Sequence, residues 1–223
     1  KNSLKKAKKP KKVIIAGAGP AGINCALSLH ERGHMVEIYE KDKQIGGKLI
    51  ASSVKGLNYE HKDLLDYYRN ELLEKGIKIY TQTAVDGKML LSKDPDVLII
   101  AIGANQKVPA INGIEGKNVI GVVEAFKNAH RLRNKNIVII GGQDRGCEAA
   151  LLLSKNSNDV TIIESGNKLM SENDIEYITM VLERMIVEEK IRFYLKFKVV
   201  NIGTDAVVAE NIENNNSFKI KCD

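Results

Sequence analysis

A chain of 223 residues, 43% of them hydrophobic, is long enough to bury a core and to hold two small domains. Its net charge of +6 is concentrated at one end: seven lysines (Lys1, Lys5, Lys6, Lys8, Lys9, Lys11, Lys12) open the chain, and taking them from 34 basic groups leaves 27 against 28 acidic ones. A nearly neutral body argues against nucleic-acid binding, and apolar runs as short as Val97 to Ile102 exclude a membrane span or secretory signal, so a cytoplasmic location is expected.

The basic lead-in, residues 1–12, reads as a solvated linker or leader, since such charge runs are usually disordered. Val13-Ile14-Ile15 is a short apolar strand running into a glycine turn, a helix with Cys25 and Ala26, and a second strand ending at Glu40. Gly46-Gly47 marks a loop. Lys62 to Lys75 is predicted as a helix with Leu65, Tyr68 and Leu72 on its inner face, Asp63, Asp66 and Glu71 on its wet side, and Gly76 as its stop. Ile77 to Tyr80 and Val97 to Ala101 follow as strands. Asn105 to Lys117, with Pro109, Gly113 and Gly116, is the expected crossing between two domains. Ile137-Val138-Ile139 then opens a second strand, glycine turn, helix and strand. The stripe Ile175, Ile178, Leu182, Met185 and Ile186 predicts a helix facing the core. Segments near Lys198 to Ile202, Ala206 to Ala209 and Phe218 to Cys222, with Asn214-Asn215-Asn216 at a turn, suggest a closing antiparallel meander.

Compared with itself at an offset of 124, the chain is a repeat: Gly17 falls on Gly141, Gly22 on Gly146, Ala26 on Ala150, Val36 on Val160, Ile38 on Ile162 and Glu40 on Glu164. Each copy has the order of a nucleotide-binding βαβ unit. In the first copy Gly17 permits the turn out of the strand, Gly19 lets a diphosphate approach bare backbone, and Gly22 lets the helix pack on the strand. The unpaired N–H groups and the positive end of the helix dipole stabilise the phosphates. Glu40, about 20 residues on, is placed to accept ribose hydroxyls.

On these residues, together with Glu37-Ile38-Tyr39-Glu40-Lys41, Gly46-Gly47-Lys48 and the strand Asp96 to Ala104, the chain resembles the two-dinucleotide-binding-domain flavoproteins. Within them it is most similar to the nucleotide-binding half of the 2,4-dienoyl-CoA reductase, 2-enoate reductase and trimethylamine dehydrogenase family, through the basic lead-in, Gly46-Gly47-Lys48 and the Tyr67-Tyr68-Arg69 helix. The resemblance implies an α/β chain of two Rossmann-like, three-layer domains, the second inserted in the first. The first is an FAD-binding domain over 13–108 without its C-terminal part, and the second an NAD-binding-type domain over 109–223. It implies FAD on Gly17, Ala18, Gly19, Pro20, Ala21, Glu40, Lys41, Gly47 and Lys48, with Val85 at the adenine and Ala101, Ile102 and Gly103 at the crossing strand, where Ile102 replaces the family's usual threonine. Members carry an FMN barrel and a four-iron cluster upstream, neither of which this length can hold, so the chain is expected to be a fragment whose partners are its dinucleotides and an FMN/iron–sulfur part elsewhere.

The second copy departs from the pattern. Its turn reads Gly141-Gly142-Gln143-Asp144-Arg145-Gly146, so a side chain replaces Gly19 where phosphates would crowd it, Asp144 adds a like charge, and Arg145 is a candidate compensating cation. Glu148 matches a glutamate found beside the nicotinamide in the family. Glu164 would repel a 2′-phosphate, which favours NADH over NADPH. The leading expectation is a flavin-dependent NADH oxidoreductase module, hydride passing from NADH to FAD without a proton-transferring side chain here. Two alternatives remain: a non-catalytic ADP- or FAD-binding scaffold with an empty second site, and a freestanding NADH-dependent ferredoxin or disulfide reductase. Cys25, Cys147 and Cys222 form no Cys-x-x-Cys pair, and His30, His34, His61 and His130 have no metal-ligand spacing. The oligomeric state is not legible.

Overall fold

The computed structural model describes residues 4–53, 59–171 and 176–223. It divides into two units, Lys1–Asn105 and Gln106–Asp223. In the first, strands β1 (Lys12–Ala16), β2 (Met35–Tyr39), β3 (Lys78–Tyr80) and β4 (Val97–Ile100) form one sheet in the order β3-β2-β1-β4, every pair parallel. Parallel neighbours need crossovers. These are α1 (Pro20–Glu31) between β1 and β2, α2 (Lys48–Ser52) and α3 (Tyr59–Glu74) between β2 and β3, and α4 (Gly87–Lys93) before β4.

One face of this sheet makes the core: Val13, Ile15, Val36 and Ile38 pack with Ile23 and Ala26 of α1 and with Tyr68 and Leu72 of α3. The predicted helical stripe is therefore real, although α3 starts at Tyr59, before the expected Lys62. Gly76 stops it at a φ of +62°, its N–H bonding Leu73 O while Ile77 N–H bonds Leu72 O. Fully burying a side chain such as Leu72 contributes about 2 kcal/mol.

The lead-in corrects one expectation. Lys5, Lys6, Lys8, Lys9 and Lys11 stand in solvent, but the backbone is tied to the far end of α1 and the turn beyond it: Ala7 N–H donates to Arg32 O, Leu4 N–H to the Glu31 carboxylate and Lys11 N–H to His34 Nδ1. From Leu4 onward it is an anchored strap and not a free arm.

In the second unit, α5 (Val122–Asn128) and a single 3₁₀ turn (Ala129–Arg131) precede β5 (Asn136–Ile140), α6 (Asp144–Ser154), β6 (Asp159–Glu164), α7 (Glu176–Glu188) and β7 (Arg192–Leu195). The three strands pair in parallel in the order β5-β6-β7. The predicted meander follows as β8 (Phe197–Ile202), β9 (Ala206–Asn211) and β10 (Ser217–Lys221), antiparallel in the order β10-β9-β8. Asn211 Oδ1 accepts the N–H groups of Glu213 and Asn214, which shapes the asparagine-rich turn. Val199, Ile202, Val207, Ala209 and Cys222 close against Ile163 of β6.

The α7 stripe is only partly a core face. Leu182 and Ile186 are buried, Ile178 is 41% exposed, and Ile175 lies outside the described residues. Among the described residues no helix is long and apolar enough to cross a membrane.

Candidate nucleotide-binding sites

The first glycine turn leaves β1 at Gly17, whose φ is +105° and whose N–H bonds Tyr39 O at 2.7 Å. A Cβ there would lie 2.4 Å from Ala101 O, and one on Gly22 would lie 2.0 Å from Gly17 O, so helix, turn and crossing strand meet through bare backbone. Gly19 differs. It is the N-cap of α1 with an ordinary φ of −77°, and a Cβ on it would meet nothing within 4 Å. No side chain caps α1, and Ile23 N–H is the first to bond back, to Gly19 O at 3.0 Å. The N–H groups of Ala21 and Gly22 and the helix dipole therefore face the open space before Gly19, where an anion is stabilised. Pro20 suits the first helical position, where no N–H is needed.

Glu40 holds this loop in shape. The carboxylate is buried, with Oε2 accepting Ala18 N–H at 2.8 Å and Oε1 accepting Asp42 N–H at 2.9 Å. A carboxylate oxygen has two lone pairs, so each can still accept a ribose hydroxyl. Gly46 N–H bonds Ala18 O at 2.7 Å, which brings Gly47 (φ +53°) so close that its Cβ would lie 3.2 Å from Gly19 Cα. Thr83 N–H bonds Glu40 O, two residues before half-buried Val85. Lys41 and Lys48 are exposed beside the loop, and Ala101 N–H bonds Ala16 O at 2.8 Å. Ile102 is 73% exposed, and Gly103 has a φ of +74°. Gly17, Ala18, Gly19, Glu40, Gly47 and Ala101 thus meet around the first glycine turn. They fit a dinucleotide: a bare-backbone cradle, a helix N-terminus and a buried carboxylate.

The second loop repeats the first bond by bond at the offset of 124. Gly141 N–H bonds Ile163 O, Glu164 accepts Gly142 N–H and Gly166 N–H at 2.6 Å each, Met170 N–H bonds Gly142 O, and Cys147 N–H bonds Gln143 O. The strand entries are alike in kind, with donors 124 apart and acceptors 127 apart. Lys12 N–H donates to the Asp96 carboxylate at 2.7 Å and Asn136 N–H to that of Asp223 at 2.6 Å.

The differences lie in side chains. Gln143 has φ −77° and ψ 179°, the conformation of Gly19, so the substitution carries no backbone strain and any crowding falls on the ligand. Its Nε2 donates to Ser171 Oγ at 3.0 Å. Ser171 is absent from the sequence reading, yet the offset applied to Gly47 finds it. Arg145, the candidate compensating cation, pairs with Glu148 at 2.6 Å, an i,i+3 contact along α6. Asp144 opens α6, where a negative charge suits the helix dipole and opposes a phosphate.

Burial raises the pKa of all three thiols, that of Cys147 to about 12, with Asp144 and Glu164 adding to the effect there. Thiol–disulfide exchange needs a thiolate, and none of these cysteines favours one near neutral pH.

Two parallel-sheet units, each bringing a glycine turn, a helix N-terminus and a buried glutamate together, define an α/β protein of the Rossmann type. Residues 11–223 match the family described as Pyridine nucleotide-disulphide oxidoreductase, and the chain belongs to it. It is 31% identical over 215 residues to a bilirubin reductase of Mediterraneibacter gnavus, covering 96% of this chain and 33% of that protein. It is 32% identical over 167 residues to an NADH oxidase of Thermoanaerobacter brockii, covering 73% of this chain and 26% of that protein. A solved 2-naphthoyl-CoA reductase superposes with a TM-score of 0.90 at 28% identity, over 98% of this chain and 33% of that one. The chain thus spans a quarter to a third of the length of these relatives.

Proposed function

We propose that this chain is the nucleotide-handling part of a flavin-dependent NADH oxidoreductase, with FAD on the first unit and NADH on the second, and with electrons passing onward to an FMN/iron–sulfur part outside this chain. The observation that carries the reading is the duplicated clamp: in both units a buried glutamate fixes the glycine loop through two backbone N–H groups, Ala18 and Asp42 or Gly142 and Gly166. The second unit is read as an insertion in the first, whose C-terminal part lies beyond these residues.

The bound flavin would supply the redox chemistry, taking a hydride, two electrons with one proton, from NADH as NAD⁺ leaves. The residues of this chain bind and orient. Gly17, Ala18, Gly19, Pro20 and Ala21 present backbone to the FAD diphosphate, Glu40 holds the ribose, and Lys41, Gly47 and Lys48 border the same space. Val85 meets the adenine, while Ala101, Ile102 and Gly103 line the approach to the flavin. In the second unit Gly141, Gly142, Gln143 and Asp144 surround the NADH diphosphate, and Arg145 stands beside them on α6, paired with Glu148. Glu164 accepts the ribose hydroxyls and repels a 2′-phosphate, and Glu148 faces the nicotinamide end.

Anaerobic titration of the full-length protein with NADH tests this. The flavin absorbance should bleach with NADH and respond far less to NADPH, and a flavin-loaded protein that does not bleach would rule out the input role.

A further inference from the structure

In the first unit, positions 19 and 47 are both glycine, and their bare backbones border the open space before α1. At the offset of 124 the same two positions carry Gln143 and Ser171, and there the side chains meet, Nε2 donating to Oγ at 3.0 Å. This bond joins the N-cap of α6 to the loop beyond β6, across the place where the first unit leaves its cradle clear. Both ends are anchored. Gln143 O accepts the first helical bond of α6, from Cys147 N–H, and Met170 N–H bonds Gly142 O beside Ser171. Backbone conformation does not impose the contact, because Gln143 and Gly19 share φ and ψ. Nor does a cation take the place of the lost access, since Arg145 is engaged by Glu148.

We propose that Gln143 and Ser171 form a side-chain latch over the second diphosphate cradle, and that Ser171 is an affinity-determining residue of that site. The proposal rests on the second unit being a dinucleotide site. A ligand diphosphate and the Gln143–Ser171 bond compete for one place, so binding requires the bond to part. Affinity is lowered by the net strength of one neutral hydrogen bond, a factor of about three to ten.

The test uses FAD-saturated full-length protein, so that the first unit is filled, and calorimetric titration with ADP-ribose, which carries the adenosine and diphosphate of NADH without the hydride. Ser171→Ala removes the acceptor at an exposed position without adding bulk and should tighten binding about three- to tenfold. Ser171→Thr keeps the hydroxyl and should bind as the wild type does. The double variant Gln143→Gly with Ser171→Gly, which restores the pattern of the first unit, should bind tightest. If the wild type binds and Ser171→Ala is unchanged or weaker, the latch is overturned while the second nucleotide site stands. If no variant binds, the double one included, both the latch and the second site are overturned.

Discussion

Gly17 and Gly19 are two positions apart, and their glycines answer to different demands. At Gly17 an alanine would have to hold φ near +105° with its Cβ 2.4 Å from Ala101 O, so Gly17→Ala is expected to lower stability by about 1–3 kcal/mol. At Gly19 the backbone is ordinary and the space is open, so Gly19→Ala should leave stability within about 0.5 kcal/mol of wild type while weakening FAD binding. Urea unfolding paired with FAD titration separates the two effects. A Gly17→Ala protein with the wild-type midpoint would contradict the packing account. The motif spacing marks both positions as glycine but cannot tell a packing constraint from a ligand constraint. That distinction depends on where Ala101 sits, 84 residues away in the chain from Gly17.

At the scale of elements, the strands and the long amphipathic helices were legible because a period of 2 or 3.6 leaves a mark in sequence, as Leu65, Tyr68 and Leu72 do in α3. The short helices α2, α4 and α5, of 5, 7 and 7 residues, are too brief to show a stripe. Local chemistry holds α4 instead. Asp86 caps it by accepting Met89 N–H, and Lys93 lies over the stacked rings of Tyr39 and Tyr80, 5.8 and 5.4 Å from their centroids. Beside them Tyr39 donates its hydroxyl to Glu37 at 2.7 Å, with Lys93 at 3.5 Å from the same carboxylate. The Tyr39 hydroxyl, and after it Lys93, hold the Glu37 pKa below the usual carboxylate range against the opposing effect of burial. A pKa lowered on folding contributes stability above the unfolded value, near 4.3–4.5, which is lost as pH falls through the lowered value. Tyr39→Phe should therefore flatten the acid limb of a stability curve below about pH 4.5. Superimposable limbs in thermal melts from pH 3 to 7 would refute that origin.

At the scale of the whole molecule, the repeat was legible from residue types alone, and it extends to hydrogen bonds that no residue type announces, such as Gly17 N–H with Tyr39 O and Gly141 N–H with Ile163 O. What stayed illegible was the side-chain pairing around the second cradle, Gln143 with Ser171 and Arg145 with Glu148. If the two loops bind separately, FAD should slow amide hydrogen exchange across residues 13–24 and leave 137–148 unchanged, and ADP-ribose added to the FAD-loaded protein should protect the second segment. Equal protection of both by FAD would undo the assignment. In each unit it is a glutamate of the chain itself, Glu40 or Glu164, that keeps the loop in its receptive form. Loop shape and ligand contact are thereby separable at one position: Gln143 stands where Gly19 does with the same backbone conformation, so one unit can alter its nucleotide contacts while its loop keeps its form.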